Sequence, residues 1–175
     1  MAKTLILYST TDGQALRICE RIQEQLEQQD NQIEMHEISE FNAEDLGNFD
    51  KVLIGASIRY GKHNKWVHKF IRENKARLEA MPTAFFTVNA VARKEEKNTP
   101  DTNPYIIKFL RKVDWAPTLK GVFSGRIIYP KYGPFDRHII RFIMWMTKGP
   151  TDLSGTFEFT KWDKVEEFAE DFNKL

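Results

Sequence analysis

The chain has 175 residues, with 26 Lys and Arg against 25 Asp and Glu and a single cysteine. That length suits one domain (1–175) with one buried core, the lone thiol excludes an internal disulfide and fits a reducing cytoplasm, and no apolar run approaches the ~20 residues of a membrane span. The formal charge of +1 hides a separation: Val52–Lys148 holds 19 Lys and Arg against 7 Asp and Glu, a balance of +12, and the remainder holds 7 against 18, a balance of −11.

The apolar run Leu5–Tyr8 reads as a strand that stops at Ser9, Thr10, Thr11, Asp12, Gly13 and Gln14. A helical pattern follows, with Ala15, Ile18 or Cys19, Ile22 and Leu26 on one face. Strand, hydroxyl-rich glycine loop and helix aim backbone N–H groups and a positive helix end at one point, which suits a phosphate. The absence of a lysine excludes a Walker A loop, and the single Gly13 excludes a dinucleotide fingerprint. Two readings remain at this level: a cradle for a terminal monophosphate, or a turn whose Ser and Thr cap the helix. Cys19 reads as a small core residue rather than a reactive thiol. Lys3, followed by only a short strand, gives no signal-peptide pattern.

Further strands are expected at Gln32–Ile38, Val52–Ala56, Ala84–Val88 and Gly121–Gly125, separated by helices carrying Trp66, Phe70 and Ile71, then Ile106, Phe109 and Leu110. Val165, Phe168, Ala169 and Phe172 mark a closing helix. This alternation predicts an α/β, doubly wound parallel sheet of five strands whose ligands lie beyond the carboxyl ends. Three more segments leave that edge: Ser57–His63, Asn89–Lys94 and the chain from Arg126. All are positive, so the basic block converges on the expected ligand edge.

Between Ile127 and Gly155 the alternation breaks. A stiff Tyr129–Pro134 loop precedes a helix expected at Asp136–Lys148, with Arg137, Arg141 and Lys148 on one side and Ile140, Phe142, Ile143, Met144, Trp145 and Met146 around the rest. Thr156–Thr160 then resumes a strand, so the excursion 127–155 reads as an insertion splitting the fifth strand. So long an excursion is usually functional. Its basic amphipathic helix suits core packing, contact with an anionic membrane surface, or docking of a partner. His138 is read as an exposed or packed histidine, and no Cys, His and carboxylate spacing supports a metal site. No nucleic-acid partner is expected.

The Ser9–Gln14 loop with the two later edge loops resembles the flavodoxin family, and the split fifth strand its long-chain members. Ser9-Thr10 with Asp12-Gly13-Gln14, Gly55–Gly61, Val88-Asn89 with Val91–Lys94, and Tyr129-Pro130 with Asp136-Arg137 resemble most closely the bacterial menaquinone-dependent protoporphyrinogen oxidases within it, over nearly the whole chain. Ala15 departs from the family's usual threonine, which removes one hydroxyl donor. The resemblance implies FMN, its phosphate wrapped by Ser9, Thr10, Thr11, Asp12, Gly13, Gln14 and Ala15. Its ring would be flanked by Ser57, Ile58, Arg59, Tyr60 and Gly61 and by Val88, Asn89, Ala90, Val91, Ala92 and Arg93. Tyr60 is read as a stacking residue or a packed core tyrosine.

The implied activity is oxidation of protoporphyrinogen IX to protoporphyrin IX in heme biosynthesis, with electrons passed to menaquinone or another quinone by a protein peripheral to the cytoplasmic face of the inner membrane. Basic residues give the two propionates a place to dock; Arg59, Arg93, Arg126, Lys131 and Arg137 are candidates. Arg126, Lys131, Arg137, Arg141 and Trp145 are the expected substrate or membrane contacts. Three rival readings are an electron-carrier flavodoxin, which usually surrounds its flavin with acidic residues, a flavodoxin-like NAD(P)H:quinone reductase, and a flavin-free interaction domain.

Overall fold

A computed structural model describes residues 1–175. Strands β1 (Lys3–Ser9), β2 (Gln32–Glu37), β3 (Lys51–Arg59), β5 (Thr83–Val88) and β6 (Leu119–Phe123) form one parallel sheet in the order β2-β1-β3-β5-β6, and the two-residue β4 (Lys62–His63) pairs antiparallel with the end of β3. Counting only the parallel strands, this is the order 2-1-3-4-5 of a doubly wound sheet. The central strands are buried on both faces, which is why Val52–Ala56 and Ala84–Val88 read as continuous apolar runs.

Alternate residues along each strand feed two cores. Leu5, Leu7, Val52, Ile54 and Phe85 pack beneath α2 (Lys65–Glu73), α3 (Lys75–Glu79) and α4 (Pro104–Val113). Ile6, Leu53, Ala84 and Phe86 pack beneath α1 (Gln14–Glu27) and α6 (Trp162–Asn173). Both Ile18 and Cys19 are fully buried on α1, and burial pushes the Cys19 thiol well above its ordinary pKa.

After β6 the chain does not run on beside β5. Residues β7 (Arg126–Ile128) and β8 (Thr156–Glu158) pair with each other, antiparallel, in a separate two-stranded ribbon. The expected resumption at Thr156 thus closes the excursion on itself and not on the main sheet. Phe159 N–H donates to the Gly125 carbonyl at 3.0 Å, bringing the two ends together. Inside the excursion α5 runs Pro134–Met146, starting two residues before the expected Asp136 because Pro134 fits the first helical turn.

Candidate functional site

At the carboxyl edge, β1 ends in a loop whose Gly13 takes φ +88°, a left-handed conformation open to glycine at little strain. Gly13 N–H donates to Thr10 Oγ1 at 2.9 Å, and Thr11 N–H to Ser57 Oγ at 3.2 Å. Helix α1 starts here with no side-chain cap and no acidic residue in its first turn. Its first N–H groups therefore face outward at the positive end of the dipole, with nothing negative on the helix competing for them. This arrangement fits a phosphate, and a Cβ built on Gly13 meets nothing within 4 Å. The capped-turn reading of α1 fails at the cap itself.

Asp12, an awkward residue beside an anion, is engaged elsewhere. Its carboxylate accepts from the Arg59 guanidinium at 2.6 Å, and Asp136 of α5 lies 3.6 Å from the same guanidinium. The Tyr60 hydroxyl donates to Asp136, which is the main reason that its pKa is raised. Tyr60 sits at φ 51° and is 48% exposed, so the packed-core reading of this tyrosine does not hold. Arg59 also lies 5.4 Å from the ring centroid of Tyr132, a phenol whose pKa burial raises.

Beside this node lies a cavity of about 500 Å³. Asp12 and Gln14 border it from the first loop, Ser57–Gly61 from the turn after β3, and Val88–Val91 from the end of β5. The insertion closes it with Gly125, Arg126, Ile127 and Tyr132 and with Ile140, Ile143, Met144, Met146 and Thr147 on and after α5; Tyr105 of α4 adds one more aromatic wall. The walls are mainly apolar, with polar groups at the loop end, the composition of a small-molecule site.

Several expected site residues lie outside this lining. Ser9, Thr10, Thr11, Gly13 and Ala15 belong to the neighbouring helix-end cradle, and the Ala15 side chain is fully buried in the core beneath α1. Ala92 is buried in the opposite core. Arg93 donates to the Ala90 carbonyl at 2.8 Å and to the Thr147 carbonyl and hydroxyl at 2.7 and 2.9 Å, so it fastens the turn after β5 to the end of α5. Arg137 is likewise spent on the Tyr129 and Tyr132 carbonyls, each at 3.2 Å. Lys131, Arg141 and Trp145 are exposed on the outside of the insertion.

The convergence of cations on this edge is thus partly neutralised from within. Arg126 is the exception: it lines the cavity, forms no ion pair, and its Nε is buried without a partner. Sequence reading missed Tyr105, Tyr132 and the inner face of α5 as cavity walls, since helical periodicity shows that a face is apolar but not what it covers.

A model of the flavodoxin domain family matches residues 5–154. A protoporphyrinogen IX dehydrogenase (quinone) of Leishmania major is 44% identical over 174 residues, covering 99% of this chain and 75% of that protein. The Escherichia coli (strain K12) protein of the same name is 40% identical over 173 residues, covering 99% and 96%. Relatives are therefore not confined to bacteria. Among solved structures, two-electron reduced Megasphaera elsdenii flavodoxin superposes with a TM-score of 0.59 at 12% identity, over 98% of this chain and 99% of that one. The flavodoxin of Streptococcus pneumoniae TIGR4 gives 0.57 at 12%, over 99% of each. These two speak to the fold alone. By sequence and by architecture, the chain belongs to the flavodoxin domain family.

Proposed function

We propose that this protein oxidises protoporphyrinogen IX to protoporphyrin IX in heme biosynthesis and passes the electrons to a quinone, menaquinone in the cell. The observation that carries the reading is the cavity: a phosphate-ready helix end opens beside an apolar chamber roofed by α5. A carrier that only exchanges electrons with a protein needs an exposed flavin edge and no such roof. The names of the relatives, matched along 99% of this chain, support the same reaction.

The cofactor is FMN. Bound there, it supplies a two-electron acceptor. The backbone donors of residues 9–15 hold its phosphate, and the turns Ser57–Gly61 and Val88–Val91 border its ring. Ile140, Ile143, Met144 and Met146 exclude water from the same chamber. Arg126 receives a substrate propionate, because Arg59, Arg93 and Arg137 are already engaged. A guanidinium pairs with carboxylate in bidentate fashion, which orients the tetrapyrrole as well as binding it.

No helix is long and apolar enough to cross a membrane. Phe142 and Trp145 on the outer face of α5 are exposed, and with Arg141 and Lys131 they form a surface suited to an anionic bilayer, where quinone resides. Anaerobic protein reconstituted with FMN, protoporphyrinogen IX and a menaquinone analogue is expected to generate porphyrin fluorescence well above the uncatalysed background. Fluorescence at background defeats the reaction. Deleting 130–150 is expected to weaken binding to anionic liposomes and leave FMN bound.

A further inference from the structure

Helices α2 and α4 carry a charge pattern that the cavity does not use. Together they hold six Lys and Arg against one acid, Glu73, whereas α1 and α6 across the sheet hold eight acids against three Lys and Arg. Lys65, Lys69 and Arg72 recur at helical spacing on α2, and with Lys112 of α4 they line a groove of about 480 Å³. His68 and Glu73 complete it. None of the four cations forms an ion pair. The only side-chain bond among them is Arg72 to the Lys112 carbonyl, at 3.4 Å. His68 Nδ1 is buried with no partner. Four cations against the single Glu73 carboxylate leave the groove with a net positive charge, which an anion from outside balances.

Trp66 stands beside them, 41% exposed, with the Lys65 and Lys69 ammonium groups 5.7 and 5.2 Å from its ring. An indole between ammonium groups is suited to the headgroup level of a bilayer, where its apolar body and polar N–H are both satisfied. We propose that the α2–α4 groove binds the anionic headgroups of a phospholipid bilayer, with Trp66 seated at that level. This extends the membrane part of the reading above, which concerned α5 alone.

A bilayer accounts for more of the surface than a free phosphate or an acidic protein does. Apart from the terminal Met1 and Leu175, the exposed large apolar side chains are Tyr60, Trp66 and four residues of α5. Tyr60 belongs to the β3–β4 turn that leads into α2, and its hydroxyl bonds Asp136 in the first turn of α5. The cationic and aromatic surfaces are thereby joined through one contact. The acidic α1 and α6 lie on the far side of the sheet, so an anionic plane attracts one face and repels the other.

The test is co-sedimentation of the full chain with phosphatidylcholine vesicles, with and without phosphatidylglycerol. Binding that requires phosphatidylglycerol, and that falls about tenfold or more in K65Q/K69Q/R72Q/K112Q with an unchanged thermal melt, is the expected result. Trp66→Ala is expected to weaken it further, and the charge-preserving K65R/K69R/K112R to restore it. Equal binding by the quadruple glutamine variant overturns the proposal, as does equal binding of the wild type to neutral vesicles. Full displacement by millimolar inorganic phosphate also overturns it and gives the groove to a small phosphorylated ligand. Failure of protoporphyrinogen oxidation with a soluble quinone in detergent, with vesicle binding intact, strikes the proposed reaction and leaves the groove standing.

Discussion

The Arg59 guanidinium and the Asp12 carboxylate meet at 2.6 Å, joining the turn after β3 to the loop that opens α1. The pair is partly buried, with side chains 24% and 30% exposed, so its contribution is about 1–2 kcal/mol once solvent screening is discounted. Arg59 thereby neutralises the carboxylate that the loop itself places beside the head of α1. Arg59→Met is expected to weaken FMN by about tenfold, because it leaves that carboxylate unpaired next to an anion. Adding Asp12→Asn is expected to restore most of the affinity. Flavin-fluorescence titration of both single variants and the double measures the coupling; additive losses defeat it.

Gly13→Ala tests the backbone of the same loop. Space is not limiting, since a Cβ meets nothing within 4 Å, but φ +88° is disfavoured for any side chain. The substitution is expected to cost about 1–2 kcal/mol, roughly 2–8 °C in Tm for a chain of this size. It should also weaken FMN, because relaxing φ re-aims the first N–H groups of α1. A thermal scan and a flavin titration check the two effects.

Arg126→Gln is expected to raise the KM for protoporphyrinogen by about ten- to a hundredfold, as follows from losing a charged hydrogen bond worth about 1.5–3 kcal/mol. FMN affinity should hold. A variant that loses FMN while keeping its KM instead assigns the unpaired guanidinium to the phosphate.

His63 gives a pH prediction. It is buried among Phe85 and Phe109 with Nε2 2.8 Å from Thr87 Oγ1, and burial pulls its pKa down to about 3. The unfolded chain, with an ordinary histidine near 6.5, takes up this proton first as pH falls. The stability is therefore complete above about pH 6.5 and drains away between there and about pH 3, at up to about 1.4 kcal/mol per pH unit from this group. Urea melts at pH 7, 5 and 4 should show a steeper loss in the wild type than in H63F/T87V. Parallel curves refute it.

Much of the fold is written locally. The buried runs of β3 and β5 and the faces of α1 and α6 follow from period and burial, and the parallel, doubly wound sheet from their alternation with helices. The site is half legible. Gly13, Ser57 and Asn89 fall where strands end, so the edge rule finds them. Charge misleads, because composition counts Arg93 and Arg137 as free cations, whereas folding spends both on backbone carbonyls. Those carbonyls are the orphaned ends of turns and helices, which have no signature in sequence. The partner of β8 was equally hidden: a three-residue strand pairs wherever closure brings an edge, and here that edge is β7.

The 3.0 Å bond from Phe159 N–H to the Gly125 carbonyl makes the excursion a side branch of the fold. The excursion leaves and returns at nearly one point, and neither β7 nor β8 lends a hydrogen bond to the five parallel strands. A loop whose ends already touch can be gained or shed with little disturbance to what it interrupts. The hydrogen bonding of the five-stranded sheet is thus complete without the excursion, and the roof over the cavity can be trimmed or exchanged without unpicking the scaffold beneath it.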